Sequence, residues 1–489
     1  MNNMRRILTI LLFFICNLAF AKTVVIGNGK GIVSKINMTG LRPGDVLAIT
    51  PGKYSSANFS NLYGIAIINN GGLVTFTGRV DLGDNTDVII SGTGDSSIFY
   101  GFSFTGGGFA IKQRCSGLRI YNCQARDISR LVDFSENQVT LIYTGDTSTI
   151  FLSRVAIGNI KMNNCGNLFC GSFGPVYDLH NMVDSLAIFN VTYDSTNEEG
   201  MVVFGSNFYR YDFHDIRIHE APVYKNHDIG MFSVYGGNGQ IHNVYRRGGW
   251  GWLCRLFGAS IGDSVGDIWI YNNIDLGSTC YGTAEVRCES SQWKNSKLLK
   301  GVNIHIVNNT AGNKKDFSNS YTTAVALIPT IELGYFSEIK NNLSFNNQNP
   351  GKNGTGFEYW NLANPPDTAS NFYYQNYNDA GLKDTINCYL LPESPVIDEG
   401  VTIAHIRNDI EGIPRPRGNR YDIGARESSF TGNNKTSIQE TPGNKKNHVL
   451  RYIFFLAIII VGAGVIIMKQ ISRNRKKTAR YAPRNTVKR

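Results

Sequence analysis

Between residues 189 and 289 the chain gathers side chains whose types and spacing suit chemistry on a polymer. Phe189, His214, His242 and Tyr271 each hold the middle of a short phrase that reads apolar, anything, Asn or Asp. Aromatic faces stack on sugar rings, and imidazoles exchange protons near neutral pH. Arg217 and Tyr245 follow two of these phrases closely and join them as candidate substrate contacts. A second group comes from Cys254-Arg255-Leu256 and Val286-Arg287-Cys288. If the apolar flanks face inward, Arg255 and Arg287 project from adjacent turns of the chain, with Glu285 and Glu289 on the same face as Arg287. Guanidinium forks suit carboxylates, and an acid pair of this kind suits Ca²⁺. A cation that neutralises a carboxylate, next to a base that takes the adjacent proton, is what β-elimination of a uronic-acid polymer requires. The catalytic candidates are therefore Arg255 and Arg287 for the first role and His214, His242 or a nearby tyrosine for the second. The plain alternatives are a stripe of rings stacked on one another and a salt-bridged solvent face. Histidines at this spacing, His219 and His227 included, read as surface residues before they read as metal ligands. Asp212, Asp215 and Glu220 offer no defined pair of carboxylates for glycoside hydrolysis.

Such residues need a scaffold that repeats. Eleven phrases recur about every 31 residues: Ile67-Ile68-Asn69, Ile90-Ser91-Gly92, Ile120-Tyr121-Asn122, Ile157-Gly158-Asn159, Ile188-Phe189-Asn190, Phe213-His214-Asp215, Ile241-His242-Asn243, Ile270-Tyr271-Asn272, Ile306-Val307-Asn308, Ile339-Lys340-Asn341 and Tyr374-Gln375-Asn376. A period between 20 and 50 residues marks a stacked-repeat architecture. In most phrases the first residue and the one two before it are apolar, as in Leu118/Ile120 and Ile268/Ile270. That alternation places both on one face of a strand, with the Asn where the chain turns. Stacked coils bring these Asn residues into a ladder whose amides bond along it. Long amphipathic helices are absent, which disfavours helical and leucine-rich solenoids, while a β-propeller also repeats.

Two further stretches carry a resemblance. Leu41-Arg42-Pro43-Gly44-Asp45-Val46-Leu47-Ala48-Ile49-Thr50-Pro51-Gly52-Lys53-Tyr54, followed by Ile67-Ile68-Asn69-Asn70-Gly71-Gly72-Leu73-Val74, resembles the entry coils of secreted right-handed parallel β-helix proteins of the pectate-lyase-like superfamily. Ser394-Pro395-Val396-Ile397-Asp398-Glu399-Gly400, Asp409-Ile410-Glu411-Gly412 and Tyr421-Asp422-Ile423-Gly424-Ala425-Arg426-Glu427 resemble their C-terminal closing segment, which would hide the last open edge of the stack. The resemblance implies an all-β, right-handed parallel β-helix and, with it, a polysaccharide partner. No specific enzyme family follows. Ala284-Glu285-Val286 faintly resembles the calcium-ligand strand of chondroitinase-B-like and alginate lyases, but the Lys soon after the acids and the later Arg-His-Gly are missing. The paired Asp and Gly-His-Gly of polygalacturonases are missing too. Pro414-Arg415-Pro416-Arg417 resembles an Arg- and Pro-rich lyase motif, yet it falls in the closing segment with the wrong spacing.

The ends of the chain speak of export. The formal net charge is +10, but two of those charges precede residue 7 and ten follow residue 450, leaving residues 7–450 at −2. This excludes a globally basic surface for nucleic acid. Residues 1–21 read as a signal peptide with a basic start, an apolar run and the cleavage site Ala19-Phe20-Ala21. The domains expected after it are the β-helix at 22–390, the closing segment at 391–427, a polar linker at 428–450, a transmembrane helix at 451–468 and a basic cytoplasmic tail at 469–489. A sorting signal that is later removed would look similar. The mature chain keeps eight cysteines, as bridges or buried thiols. The function expected is that of an exported, membrane-anchored β-helix that binds or cleaves a polysaccharide; the alternative is a non-catalytic surface adhesion or scaffold rod.

Overall fold

The computed structural model describes residues 21–33, 40–95, 97–134, 152–170, 181–196, 202–221, 230–236, 238–257, 260–261, 266–279, 281–288, 299–300, 302–315, 325–329, 336–349, 357–359 and 366–430. Its strands pair parallel from one coil to the next, in register, phrase upon phrase. Ile67 pairs with Ile90, Ile90 with Ile120, and the column continues through Ile157, Ile188, Phe213, Ile241, Ile270 and Ile306 to Ile339. All of these are essentially inaccessible to solvent. The chain is therefore a parallel β-helix. Its hand is that of parallel strand crossovers, right-handed in about 98% of cases.

Each coil supplies three strand columns. The phrase column is the first. A second runs through Val74–Phe76, Phe102–Phe104 and Ile274–Leu276, and a third through Val80–Gly83, Phe109–Ile111, Cys254–Phe257 and Ala284–Cys288. The eleventh phrase departs from expectation. Tyr374 pairs with Phe345 in the second column, and the place below Ile339 in the first is taken by Thr368.

The Asn of the phrase marks the corner between the first two columns. Asn122, Asn159, Asn190, Asp215, Asn243, Asn272, Asn308 and Asn341 all have φ between 52° and 56°. Among residues with a Cβ, Asn and Asp accept this left-handed conformation most readily, which accounts for their recurrence. In the first half of the stack these side chains also bond coil to coil. Asn159 Nδ2 donates to Asn122 Oδ1 at 3.0 Å, and Asn190 Nδ2 to Asn159 Oδ1 at 2.6 Å. In the second half the stitching moves inward by one residue. Asn273, Asn309, Asn342 and Asn371 form a ladder with side-chain bonds of 2.9–3.0 Å, and each Nδ2 also reaches a carbonyl of the preceding coil. The outer Asn residues there turn to the closing segment instead: Asn272 donates to the Asn408 carbonyl and Asn341 to that of Val401.

That closing segment lies along the side of the last coils. Leu382, Leu390, Val396 and Ile423 cover the outward side chains Ile274, Leu276, Leu343 and Phe345, while Ile403, Ile406 and Tyr421 cover Val307. Outward apolar residues on these coils need the cover, and burying each stabilises by roughly 1.5–3 kcal/mol. The segment is held by a buried polar knot. Arg415 Nη1 meets Glu427 Oε1 at 2.7 Å and donates to the Asp422 carbonyl, and Glu427 accepts from the amides of Asp422 and Arg417. Its contacts continue to Phe430, which packs on the same cluster. Cys115, Cys123, Cys165, Cys254 and Cys388 are buried free thiols, and Cys170 is buried as well. Among the described residues no helix is long and apolar enough to cross a membrane; residues 1–20 and 431–489, with the expected leader, transmembrane helix and tail, lie outside them.

Candidate functional site

The middle residues of successive phrases line up as a ladder of rings. Phe189 lies 5.5 Å from His214, His214 5.0 Å from His242 and His242 4.5 Å from Tyr271, with interplanar angles of 11°, 10° and 5°. Strand spacing brings the rings to stacking distance, so they use their faces on one another and present edges outward. The flat platform for a sugar that the sequence suggested at these positions is thus closed. What the ladder offers is polar. His214 Nδ1 bonds Asp215 Oδ2 at 2.9 Å, and His242 Nε2 lies 3.4 Å from Asp212 Oδ1, longer than a strong hydrogen bond. Burial disfavours the charged form of His214, yet the bond to Asp215 and the charges of Asp212 and Asp215 raise its pKa above the usual value. Burial, with the same two carboxylates, pushes the Tyr271 phenol up, so it is a poor base near neutrality.

Beside the ladder runs an open groove of about 810 Å³. It is built from two rows of outward residues that precede the phrase middle by two and by four positions. The nearer row reads Arg119, Ala156, Ala187, Asp212, Gln240, Trp269 in consecutive register. The farther row reads Arg154, Ser185, Arg210, Asn238, Asp267. Small side chains at Ala156 and Ala187 form the floor. Arg154 is anchored by Asp87 at 3.1 Å and Ser116 at 3.0 Å. The far end is walled by Trp269, whose indole is stacked between His305 at 3.7 Å and His405 of the closing segment at 4.3 Å.

The second group of sequence candidates lies elsewhere. Arg255 stands opposite Glu285, not Arg287, which is in register with Phe257. Arg255 Nε lies 2.8 Å from Glu285 Oε2, and Glu285 is only 2% exposed. A carboxylate already neutralised by an arginine in a nearly closed position is a weak cation ligand. Among the described residues no cluster of three His, Cys, Asp or Glu side chains could hold a metal. The Arg287 side chain and Glu289 lie outside the described residues. Tyr245 is buried under the closing segment and donates to the Ile386 carbonyl at 3.1 Å, while Arg217 is exposed one position across from it in the second column. Neither lines the groove. Arg415 of the Pro-Arg-Pro-Arg stretch is spent on the closing knot.

Arg119, Arg154, Arg210, Gln240 and Trp269 had a sequence signal, since strand alternation sends every second residue outward and not the phrase middle alone. His405 had none, because a long excursion of chain returns it to the groove.

No family model matches the chain, and no curated protein does. Among solved structures it is similar to a pectate lyase, Pel9A, at 15% identity, over 80% of this chain and 90% of that one, with a TM-score of 0.31. The fold assignment rests on the strand registers described above.

Proposed function

We propose that this is an exported, membrane-anchored protein that binds an anionic polysaccharide lengthwise along the groove. The observation that carries the reading is the meeting of Arg119, Arg154 and Arg210 around an uncharged floor of Ala156 and Ala187. Guanidinium groups recognise carboxylates and sulfates through paired N–H donors, and a groove parallel to the coil axis suits a linear chain. Export and anchoring rest on residues 1–21 and 451–468 of the sequence. If the bound polymer is also cleaved by β-elimination, Arg210 in the groove is the neutralising cation, and His242 in the ring ladder beside it, with Asp212 at 3.4 Å, is the base. The closed ring faces and the Arg255–Glu285 pair favour binding without cleavage over the lyase built on Arg255, Arg287 and Ca²⁺.

The test is to incubate the purified full-length protein with neutral and acidic linear polysaccharides, with and without Ca²⁺, measuring affinity by calorimetry and unsaturated ends by ultraviolet absorbance. Tighter binding of acidic polymers, weakened by Arg119→Ala, is expected. Equal affinity for neutral polymers, or no binding to any, overturns the reading and leaves the scaffold rod. Unsaturated products that persist in His242→Ala overturn the assignment of the base.

A further inference from the structure

Resting on that reading, we infer that the groove takes the terminus of its polymer and not an internal stretch, because the closing segment stops the groove at one end. The nearer row runs in register from Arg119 through Ala156, Ala187, Asp212 and Gln240 to Trp269. The Trp269 indole has His305 on one face, 3.7 Å away, and His405 on the other, 4.3 Å away. His305 follows Trp269 in register on the next coil, so it takes the face that looks onward along the axis. His405 therefore takes the face that looks back down the groove. An imidazole brought by the closing segment stands across the line that a bound polymer would follow. It is held there from both sides: Ile403 and Ile406 are buried over Val307, and the Asn408 carbonyl accepts from Asn272 Nδ2 at 2.7 Å.

The two ends of the groove differ accordingly. At the Arg119 end the nearer row continues to Ile89, and Arg154, though paired with Asp87, keeps 58% of its side chain exposed, so a polymer can extend outward there. From Arg119 to Gln240 is four strand spacings, about 19 Å, so only a short run of sugars is held before His405 is met. The groups beside the stop are acceptors. Asp212 and Asp267 line the groove there with 39% and 51% of their side chains exposed, Asp267 while its Oδ1 is bonded by Asn303 and His305. A terminal sugar carries a free hydroxyl where an internal sugar carries its next glycosidic bond. A hydroxyl that donates to a carboxylate makes one of the stronger kinds of hydrogen bond. An internal stretch lacks that donor and must drive its next sugar into the imidazole. Shape and hydrogen bonding thus reject the same wrong partner.

The experiment counts proteins bound per polymer molecule. Two polygalacturonate fractions, one about tenfold longer than the other, and a neutral linear glucan are titrated with the full-length protein by calorimetry at fixed ionic strength. One protein per polymer molecule is expected for both acidic fractions, so at equal sugar mass the longer one should bind about tenfold less protein. His405→Ala removes the stop and leaves the groove arginines in place. It should load several proteins on each long molecule and keep affinity for the short fraction within about twofold, as for an ordinary surface substitution. His405→Phe keeps a ring on Trp269 and should match the wild type, which separates loss of the stop from loss of the fold. A wild-type stoichiometry that rises in proportion to polymer length overturns the terminus inference while the anionic-glycan reading stands. An unchanged stoichiometry in His405→Ala overturns the role of His405 as the stop. Acidic fractions that bind no better than the glucan overturn both readings.

Discussion

Replacing Asn309 by Ala tests the buried ladder that carries the second half of the stack. Asn309 is 3% exposed, and its side chain works in both directions along the axis. Its Oδ1 accepts from the Asn273 amide at 3.1 Å, and its Nδ2 donates to the Ile270 carbonyl at 2.9 Å. Truncation leaves that amide and that carbonyl without partners in a water-free interior. Asn273 Nδ2 keeps the Ile241 carbonyl and is less affected. At roughly 1–3 kcal/mol for each orphaned group, the cost is about 4 kcal/mol. Cooperative unfolding of a repeat stack is not a safe readout, so the local one is native-state hydrogen exchange. Protection of the Asn273 amide should fall about a thousandfold. The control is Asn190→Gly, which removes the exposed 2.6 Å bond to Asn159 but relieves a φ of 52°. Water replaces the lost bond and glycine adopts that φ freely, so the change should stay within about 1 kcal/mol. If the two substitutions cost the same, the distinction between a buried load path and an exposed corner ladder is wrong.

Two pH dependences follow from carboxylates in opposite situations. The folded His214 pKa is raised, so the stability it contributes is whole below the unfolded value of about 6.5 and is lost as pH rises through the folded one. Asp215→Asn should lower the His214 titration seen by NMR towards the ordinary histidine value; no movement would refute the role given to the 2.9 Å bond. In the closing segment, burial pushes the Glu427 carboxyl up to about 7, with Arg415 opposing and Asp422 adding to the rise. A raised carboxyl stabilises fully below its unfolded value of about 4.3, and that contribution is lost as pH climbs through about 7. Protection of the Asp422 and Arg417 amides, which donate to Glu427, should therefore decline over that interval beyond the intrinsic exchange rate. Flat protection would count against it, and Glu427→Gln should remove the dependence.

The core was legible because its constraint is local and repeated. A strand buried on one face must alternate, and Ile67 to Ile339 shows it at each step. The corner Asn was legible for the same reason, since a left-handed residue is needed once per coil. The inner ladder was written in the doubled Asn of Asn272-Asn273, Asn308-Asn309 and Asn341-Asn342, yet a doubled residue does not say which copy faces inward. That depends on the left-handed kink, which resets the alternation after the first Asn. Alternation put Arg255 and Glu285 on adjacent coils and one face but left their register open, because register is set by coil length and coil lengths vary; the structure brings Glu285 directly opposite Arg255.

The position of the groove follows from where the closing segment stops. On the last coils the outward Ile274, Leu276, Val307, Leu343 and Phe345 are covered by the segment; on the coils from Arg119 to Asp212 the two groove rows carry charged or small residues. The boundary is Trp269. Its inner neighbour His305 is tied to Glu338 at 2.9 Å, and its outer neighbour His405 belongs to the closing segment. One ring thus ends both the sheath and the groove. A solenoid whose coils were all sheathed would have no binding face, and one with none sheathed would expose Ile274, Val307 and Leu343 to water. The groove rows carry Arg119, Arg154 and Arg210 on the uncovered coils, while Ile274, Val307 and Leu343 lie on the covered ones. The division of the stack into a covered half and an open half is therefore encoded in the outward positions, the same positions that would define what the open half binds.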